Sequence, residues 1–200
     1  MVIHRVLTPA DYRRTAWKNG GGRTTEIAVG PPDALLTNFD WRVSVADVEQ
    51  DGRFSVFPGV ERKLLLLAGE GMRLTGAGPP LDLQAPFEPV TFAGDTAVMC
   101  TLVGGPVRGF NLMVRRNVHR GEVIVVRERA ETMSHALVYV CYAAHGGCEC
   151  LIAAHPPIAL AEDQALLVEL DRAQAGAGAR IQVNPGSATT IAVVAVIDSA

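Results

Sequence analysis

Period-two alternation of apolar and polar residues, broken every few positions by glycine or proline, runs almost the length of this 200-residue chain. In "WRVSVA" (41–46), Trp41, Val43 and Val45 alternate with Arg42, Ser44 and Ala46; in "TTEIAV" (24–29), Thr25, Ile27 and Val29 alternate with Thr24, Glu26 and Ala28. Successive side chains of an extended backbone point to opposite faces, so each run predicts a half-buried strand. "RKLLLLAGEGMRLTG" predicts strand, glycine-rich turn, strand, and "EVIVVRE", "ALVYVCY", "CECLIAA", "ALLVEL" and "TTIAVVAVI" predict five more strands. With 20 Gly and 12 Pro as punctuation, long helices have no room. One segment, "TPADYRRTAW" (8–17), carries a helix signal, with Thr8 as N-cap and Pro9 at the first helical position. The expected class is all-β, a sandwich or barrel of short strands.

The chain also repeats itself. "FAGDTAVMCTL" (92–102) aligns without a gap with "LAEDQALLVEL" (160–170) at Ala93/Ala161, Asp95/Asp163, Ala97/Ala165 and Leu102/Leu170. Each follows a proline-containing segment and a hairpin candidate, so the shared order is strand, turn with Asp, strand. This predicts two β-barrels, at roughly residues 20–105 and 120–198. The corresponding domains are 1–116, with the leading segment and a ligand pocket, and 117–200.

Composition removes several function classes. Charged residues are 20% of the chain and the formal net charge is -3; no concentrated basic patch is present, so a nucleic-acid partner is not expected. Arg13-Arg14 and Arg115-Arg116 read as solvated strand ends. No apolar run is long enough to span a bilayer, and "MVIHRVLTPADYRR" lacks the apolar stretch of a signal peptide, so a cytoplasmic protein with no membrane partner is expected. Its four cysteines are then expected to be free thiols. There is no H-x-H pair; His145, Cys148, Cys150 and His155 are either a zinc set or buried thiols with surface histidines, and because their spacing matches no common zinc pattern neither metal nor any other cofactor is expected. "WKNGGGRTTEIAV" (17–29) is not a P-loop, because Arg23 and Thr24 follow the glycines and a strand, not a helix, comes next.

What is left is a set of polar residues stranded among apolar ones: Lys18 and Asn19 beside the glycine turn, Glu26, Arg42 and Ser44 on strands, Ser55 within "FSVFPG", Arg62 before "KLLLL", and Asn111 within "GFNLMV". They are either wet strand faces and turn residues, or the lining of a site that grips a small polar ligand. Arginine suits a carboxylate because its planar fork donates two parallel hydrogen bonds. Trp17, Phe54 and Phe57 would supply an apolar wall. The three glycines would let backbone amides approach a bound anion, or serve only to launch the strand at Thr24.

"WKNGGGRTTEIA" (17–28), "WRVSVADVEQDGRFSVFPGVERKLLLLAGEGMRL" (41–74) and "GPVRGFNLMVRR" (105–116) together resemble the HutD/Ves family. The resemblance covers the first 116 residues; the second half is similar only in pattern. It implies a bicupin, two cupin-like β-barrels in one chain, associated with bacterial histidine utilisation. It further implies a regulator that binds an acidic pathway metabolite, formylglutamate being favoured, with no firmly attached enzymatic activity. The family's motif residues fall on Trp17, Lys18, Asn19, Glu26, Arg42, Ser55, Phe57, Pro58, Arg62 and Asn111. Two positions depart from the family pattern: Gly109 stands where an acidic residue usually precedes the Phe-Asn pair, and Glu61 where Asp often precedes the arginine. The alternative function is a metal-independent hydrolase or isomerase acting on a small carboxylate, with Glu26 as general base and Arg42 or Arg62 holding the substrate. The expected partner is a small acidic metabolite, and a homodimer is left open.

Overall fold

The computed structural model describes residues 2–128, 131–177 and 180–200. They divide into two compact units, Arg13–His119, and the segment up to Tyr12 together with Arg120–Ser199. The leading strand β1 (Ile3–Leu7) therefore does not group with residues 13–116. Its ladder partner is Ala165–Glu169 in the second unit.

In the first unit the strands are β2 (Arg13–Ala16), β3 (Gly22–Gly30), β4 (Trp41–Val48), β5 (Gly52–Arg53), β6 (Val60–Ala68), β7 (Met72–Thr75), β8 (Leu81–Leu83), β9 (Val90–Ala93), β10 (Met99–Leu102) and β11 (Val107–Arg115). They form a six-stranded sheet, β2-β3-β4-β11-β6-β9, and a four-stranded sheet, β5-β10-β7-β8. Val48, Leu64, Leu66, Phe92 and Val107 of the larger sheet meet Met72, Leu74, Leu83 and Cys100 of the smaller one in a single apolar cluster.

The second unit contains β12 (His119–Arg127), β13 (Glu131–Ser134), β14 (Val138–His145), β15 (Cys148–Ile152), β16 (Ile158–Leu160), β17 (Ala165–Glu169), β18 (Arg180–Pro185) and β19 (Ile191–Ser199). Its sheets run β1-β17-β14-β19-β12 and β13-β18-β15-β16. Each of β4 to β11 thus has a counterpart, in order, in β12 to β19: β11 lies between β4 and β6 as β19 lies between β12 and β14, and β10 joins β5 to β7 as β18 joins β13 to β15. The chain is all-β, and the strand neighbours repeat. Among the described residues no ladder closes either unit into a barrel; each consists of two sheets sharing a core, not the closed barrels expected.

The aligned segments that suggested the repeat are one strand out of step. They lay β9, turn and β10 on β16, turn and β17, whereas topology equates β9 with β17 and β10 with β18. Aspartate is favoured in any tight turn, which produced the false match. Asp95 accepts the Gly59 N–H at 2.8 Å and pairs with Arg116 at 2.7 Å, while Asp163 accepts the hydroxyl of Tyr142.

The expected helix over 8–17 is a turn leading into β2. The Asp11 carboxylate reaches back to the Thr8 N–H and hydroxyl, both at 2.8 Å, and residues 13–16 enter the sheet against β3. A short helix α1 (Arg172–Gly176) is instead capped by Asp171, whose side chain accepts from the Gln174 N–H.

All four cysteines are free and buried. Cys141, Cys148 and Cys150 lie in the second unit's core. Burial pushes the Cys100 thiol up to about 12, and neighbouring thiols together with burial raise those of Cys148 and Cys150 well above the ordinary range. Thiols that are neither ionised nor accessible react slowly. Titration with a disulfide reagent should find essentially none of the four reactive in the native protein and all of them after denaturation; a fast-reacting native thiol would show that the core opens.

Candidate functional site

Both faces of β4 are buried, not one: Arg42 and Ser44 are as enclosed as Trp41, Val43 and Val45. The reason is visible in the register. On this face Glu26, Ser44, Asn111 and Leu64 stand side by side across β3, β4, β11 and β6. In the adjacent row Arg42, Met113, Arg62 and Phe92 stand across β4, β11, β6 and β9. Strands are about 4.8 Å apart, so the two arginines are held roughly 10 Å apart at their backbones. The polar band lies between two apolar clusters, that of Leu64, Leu66 and Val107 on one side and that of Ala34, Phe39, Val60 and Met113 on the other.

The two buried arginines are in opposite electrostatic situations. Arg42 donates through Nε to Glu26 at 2.5 Å, and its Nη1 lies 3.5 Å from the Ser44 hydroxyl. The other Glu26 oxygen takes Arg13 at 2.8 Å. Arg62 is 8% exposed and has no acidic partner among the described residues; its Nε has no hydrogen-bond acceptor. Its guanidinium carbon sits over the rings of Phe92, Phe54 and Phe57 at 4.9, 5.2 and 5.9 Å. Burial, then the nearby Arg42 charge, lowers Arg62 to about 10, so it still carries its proton at neutral pH. The aromatic faces attract a cation, but offer no anion. A second polar atom is also unpartnered: Asn111, 5% exposed, has an Oδ1 that accepts no hydrogen bond.

The remaining predicted residues do not all join this band. Trp17 donates from its indole to Thr24 Oγ1 at 2.8 Å and meets Phe54 edge-on at 6.1 Å. Phe57 is part of the aromatic group around Arg62. Ser55 is exposed on the loop between Phe54 and Phe57. Lys18 is exposed and has no ion-pair partner among the described residues, and the Asn19 side chain accepts from Gly21 N at 3.1 Å. In the glycine turn Gly20 N donates to Trp17 O, Gly20 has φ +70°, and a Cβ on Gly22 would come within 2.3 Å of the Asp47 carbonyl oxygen. Its first two amides are thus used within the turn.

Two contributors escaped the sequence. Arg13 read as a solvated strand end, and only the β2–β3 register brings it to Glu26. Phe92 reaches Arg62 only through the β6–β9 ladder. Neither departure position supplies Arg62 with an acid. Glu61 pairs with Lys63 at 3.2 Å. A Cβ on Gly109 would meet Leu64 Cδ1 at 3.3 Å and Met72 Cε at 3.5 Å, so the site face is closely packed there. Among the described residues no group of three or more His, Cys, Asp or Glu could hold a metal, and the His145, Cys148, Cys150, His155 set does not converge; His155 packs edge-on against His4 instead.

The second unit is an internal comparison. Both β6–β11 and β14–β19 carry a register shift, between Arg108 and Gly109 and between Ala143 and His145. Matching these shifts makes Tyr139 the counterpart of Arg62, Cys141 of Leu64, Val194 of Asn111 and Val168 of Phe92. The Tyr139 hydroxyl accepts the Ala136 N–H at 3.0 Å, and the rest is apolar core. The topology itself does not require the polar band.

A family model described as HutD matches residues 9–188. An uncharacterised 21.2 kDa protein in the hutC 3' region of Pseudomonas putida is 41% identical over 119 residues, 60% of this chain and 62% of that protein. Protein Ves of Citrobacter koseri is 40% identical over 110 residues, 54% of this chain and 56% of that one. The chain spans less than two thirds of the length of these curated relatives. Among solved structures, a conserved protein of unknown function from Pseudomonas aeruginosa PAO1 superposes with TM-score 0.87 at 31% identity, covering 98% of this chain and all (100%) of that one. HutD from Pseudomonas fluorescens SBW25 does so with TM-score 0.80 at 28% identity, covering 99% and 100%. Cupin-like neighbours such as an oxalate decarboxylase from Lactobacillus farciminis, TM-score 0.65 at 6% identity over 96% of this chain and 85% of that one, share the fold alone. No helix among the described residues is long and apolar enough to cross a membrane.

Proposed function

This chain belongs to the HutD family, and from that premise we propose that it is a small-molecule-binding protein of bacterial histidine utilisation, a cytoplasmic regulator that senses an acidic metabolite such as formylglutamate on the polar band of its first unit. The observation that carries this reading is Arg62, a buried cation without an acid, walled by three phenylalanines. Burying an unpaired charge is costly, and the complement it lacks is an anion. An entering carboxylate would accept from the guanidinium in a low-dielectric setting, where a charge-assisted pair is strong. Arg42 is already neutralised by Glu26, so it shapes the site rather than supplying the free charge.

The enzymatic alternative has less support. A general base must be aimed at substrate, whereas the Glu26 carboxylate is held between two arginines, one on each oxygen.

Calorimetric titration with formylglutamate is the direct test. Binding to wild type, and a loss of about 2–5 kcal/mol in Arg62→Ala, would support the reading. No binding of any acidic metabolite to wild type at millimolar concentration, or unchanged binding to Arg62→Ala, would overturn it.

A further inference from the structure

We propose that Asn111 is a specificity-determining residue of this site, selecting a carboxylate ligand that also carries an N–H or O–H donor close to the carboxylate. This rests on the reading of Arg62 as the carboxylate's partner. Asn111 lies on β11 opposite Ser44 and Leu64, diagonal to Arg62 on β6 and on the same face. It is more than nine-tenths buried, and its Oδ1 accepts nothing. No neighbour on this face donates to it: Leu64 and Met113 have no donor, Gly109 has no side chain, and neither the Ser44 hydroxyl opposite nor the diagonal Arg62 Nε makes that hydrogen bond. A buried acceptor left unpaired is unfavourable, and the fold does not need an amide here, because the corresponding residue of the second unit is Val194.

The charge balance points the same way. Glu26 sets one negative charge against Arg42 and Arg13, so no carboxylate of the band is left over for Arg62, which takes a ligand carboxylate while Asn111 takes a neutral donor. A site built around a buried acceptor rejects an analogue that lacks the donor far more strongly than a purely apolar pocket distinguishes shapes. An ionised dicarboxylate with a bare methylene chain offers only acceptors. A hydroxy acid or an N-substituted amino acid offers the donor as well.

The test compares three probes on one carbon skeleton: glutarate, 2-hydroxyglutarate and 2-methoxyglutarate, titrated into wild type, Asn111→Leu and Arg62→Met. In wild type the hydroxy acid should bind at least about tenfold more tightly than glutarate or the methyl ether. Asn111→Leu should bring the three within about twofold of one another while keeping a cooperative thermal transition, since valine occupies the equivalent position of the second unit. Arg62→Met should lose all three. Equal binding of the three probes to wild type, with loss in Arg62→Met, would overturn the role of Asn111 and leave that of Arg62 standing. Tighter binding of the methyl ether would show that the amide donates rather than accepts, and would also overturn it. No binding of any probe to wild type would remove the Arg62 reading and the Asn111 role together.

Discussion

Arg62→Met is expected to raise the unfolding midpoint of the ligand-free protein while abolishing its stabilisation by acidic metabolites. Most core substitutions destabilise, so the sign is diagnostic. In the folded chain the Arg62 guanidinium sits at about 10, below the ordinary arginine value, because burial and the neighbouring Arg42 charge disfavour its ionised form. A cation whose pKa is lowered on folding opposes folding at every pH below its folded value, and that opposition fades only as pH rises through and beyond about 10. Methionine replaces the chain as far as the Nε position with a flexible apolar group beside Phe54, Phe57 and Phe92, and removes the charge. Replacing buried ions by apolar groups of similar volume stabilises by about 1–4 kcal/mol in favourable cases. For a chain of this length each kcal/mol moves the midpoint by on the order of 2–4 °C. Differential scanning calorimetry with and without formylglutamate reads both halves of the result. A lower midpoint for the ligand-free variant would mean that Arg62 is a structural residue.

The opposite outcome is expected three strands away. Glu26→Leu should destabilise by about 3–5 kcal/mol, because it strands Arg42 in the interior without its counter-ion. Here the partners are 8% and 9% exposed at their side chains and 2.5 Å apart, so water cannot replace the lost carboxylate. Adding Arg42→Met to Glu26→Leu should recover most of the loss, since the pair is then removed as a unit. Urea unfolding curves with a common slope would measure it. A single variant within about 1 kcal/mol of wild type would show that solvent reaches the pair.

The contrast between these arginines marks where the sequence stops being informative. Alternation in "WRVSVA" identified β4 and its apolar face, but a polar second face looks the same whether it meets water or a site. The register sets Arg42 beside Met113 beside Arg62, and only their burial in the fold shows that this face is enclosed. The shift between Glu26 and Ala28 is equally silent in the sequence, although it decides which face Glu26 takes. Lys18 and Asn19 flank the glycines and fall on the family's motif, but proximity along a turn says nothing about direction, and the Asn19 side chain accepts from Gly21 N. The repeat is legible in the sequence as an order of elements but not as a residue alignment, because turn aspartates recur for local reasons. β1 crosses into the second unit through a ladder between residues more than 150 positions apart, 3–7 with 165–169, beyond any local pattern.

The edge-on packing of Trp17 against Phe54, which in turn lies against Arg62, gives the site an optical readout. The chain has two tryptophans, and Trp41 is locked in the interior, 5% exposed. An indole's emission shifts with the electric field across its ring, and Trp17 is linked to the uncompensated charge through Phe54. Neutralising that charge changes the field at Trp17, and a Trp17→Phe variant separates its signal from that of Trp41. Occupancy of the site can thus be followed by fluorescence in the unlabelled protein.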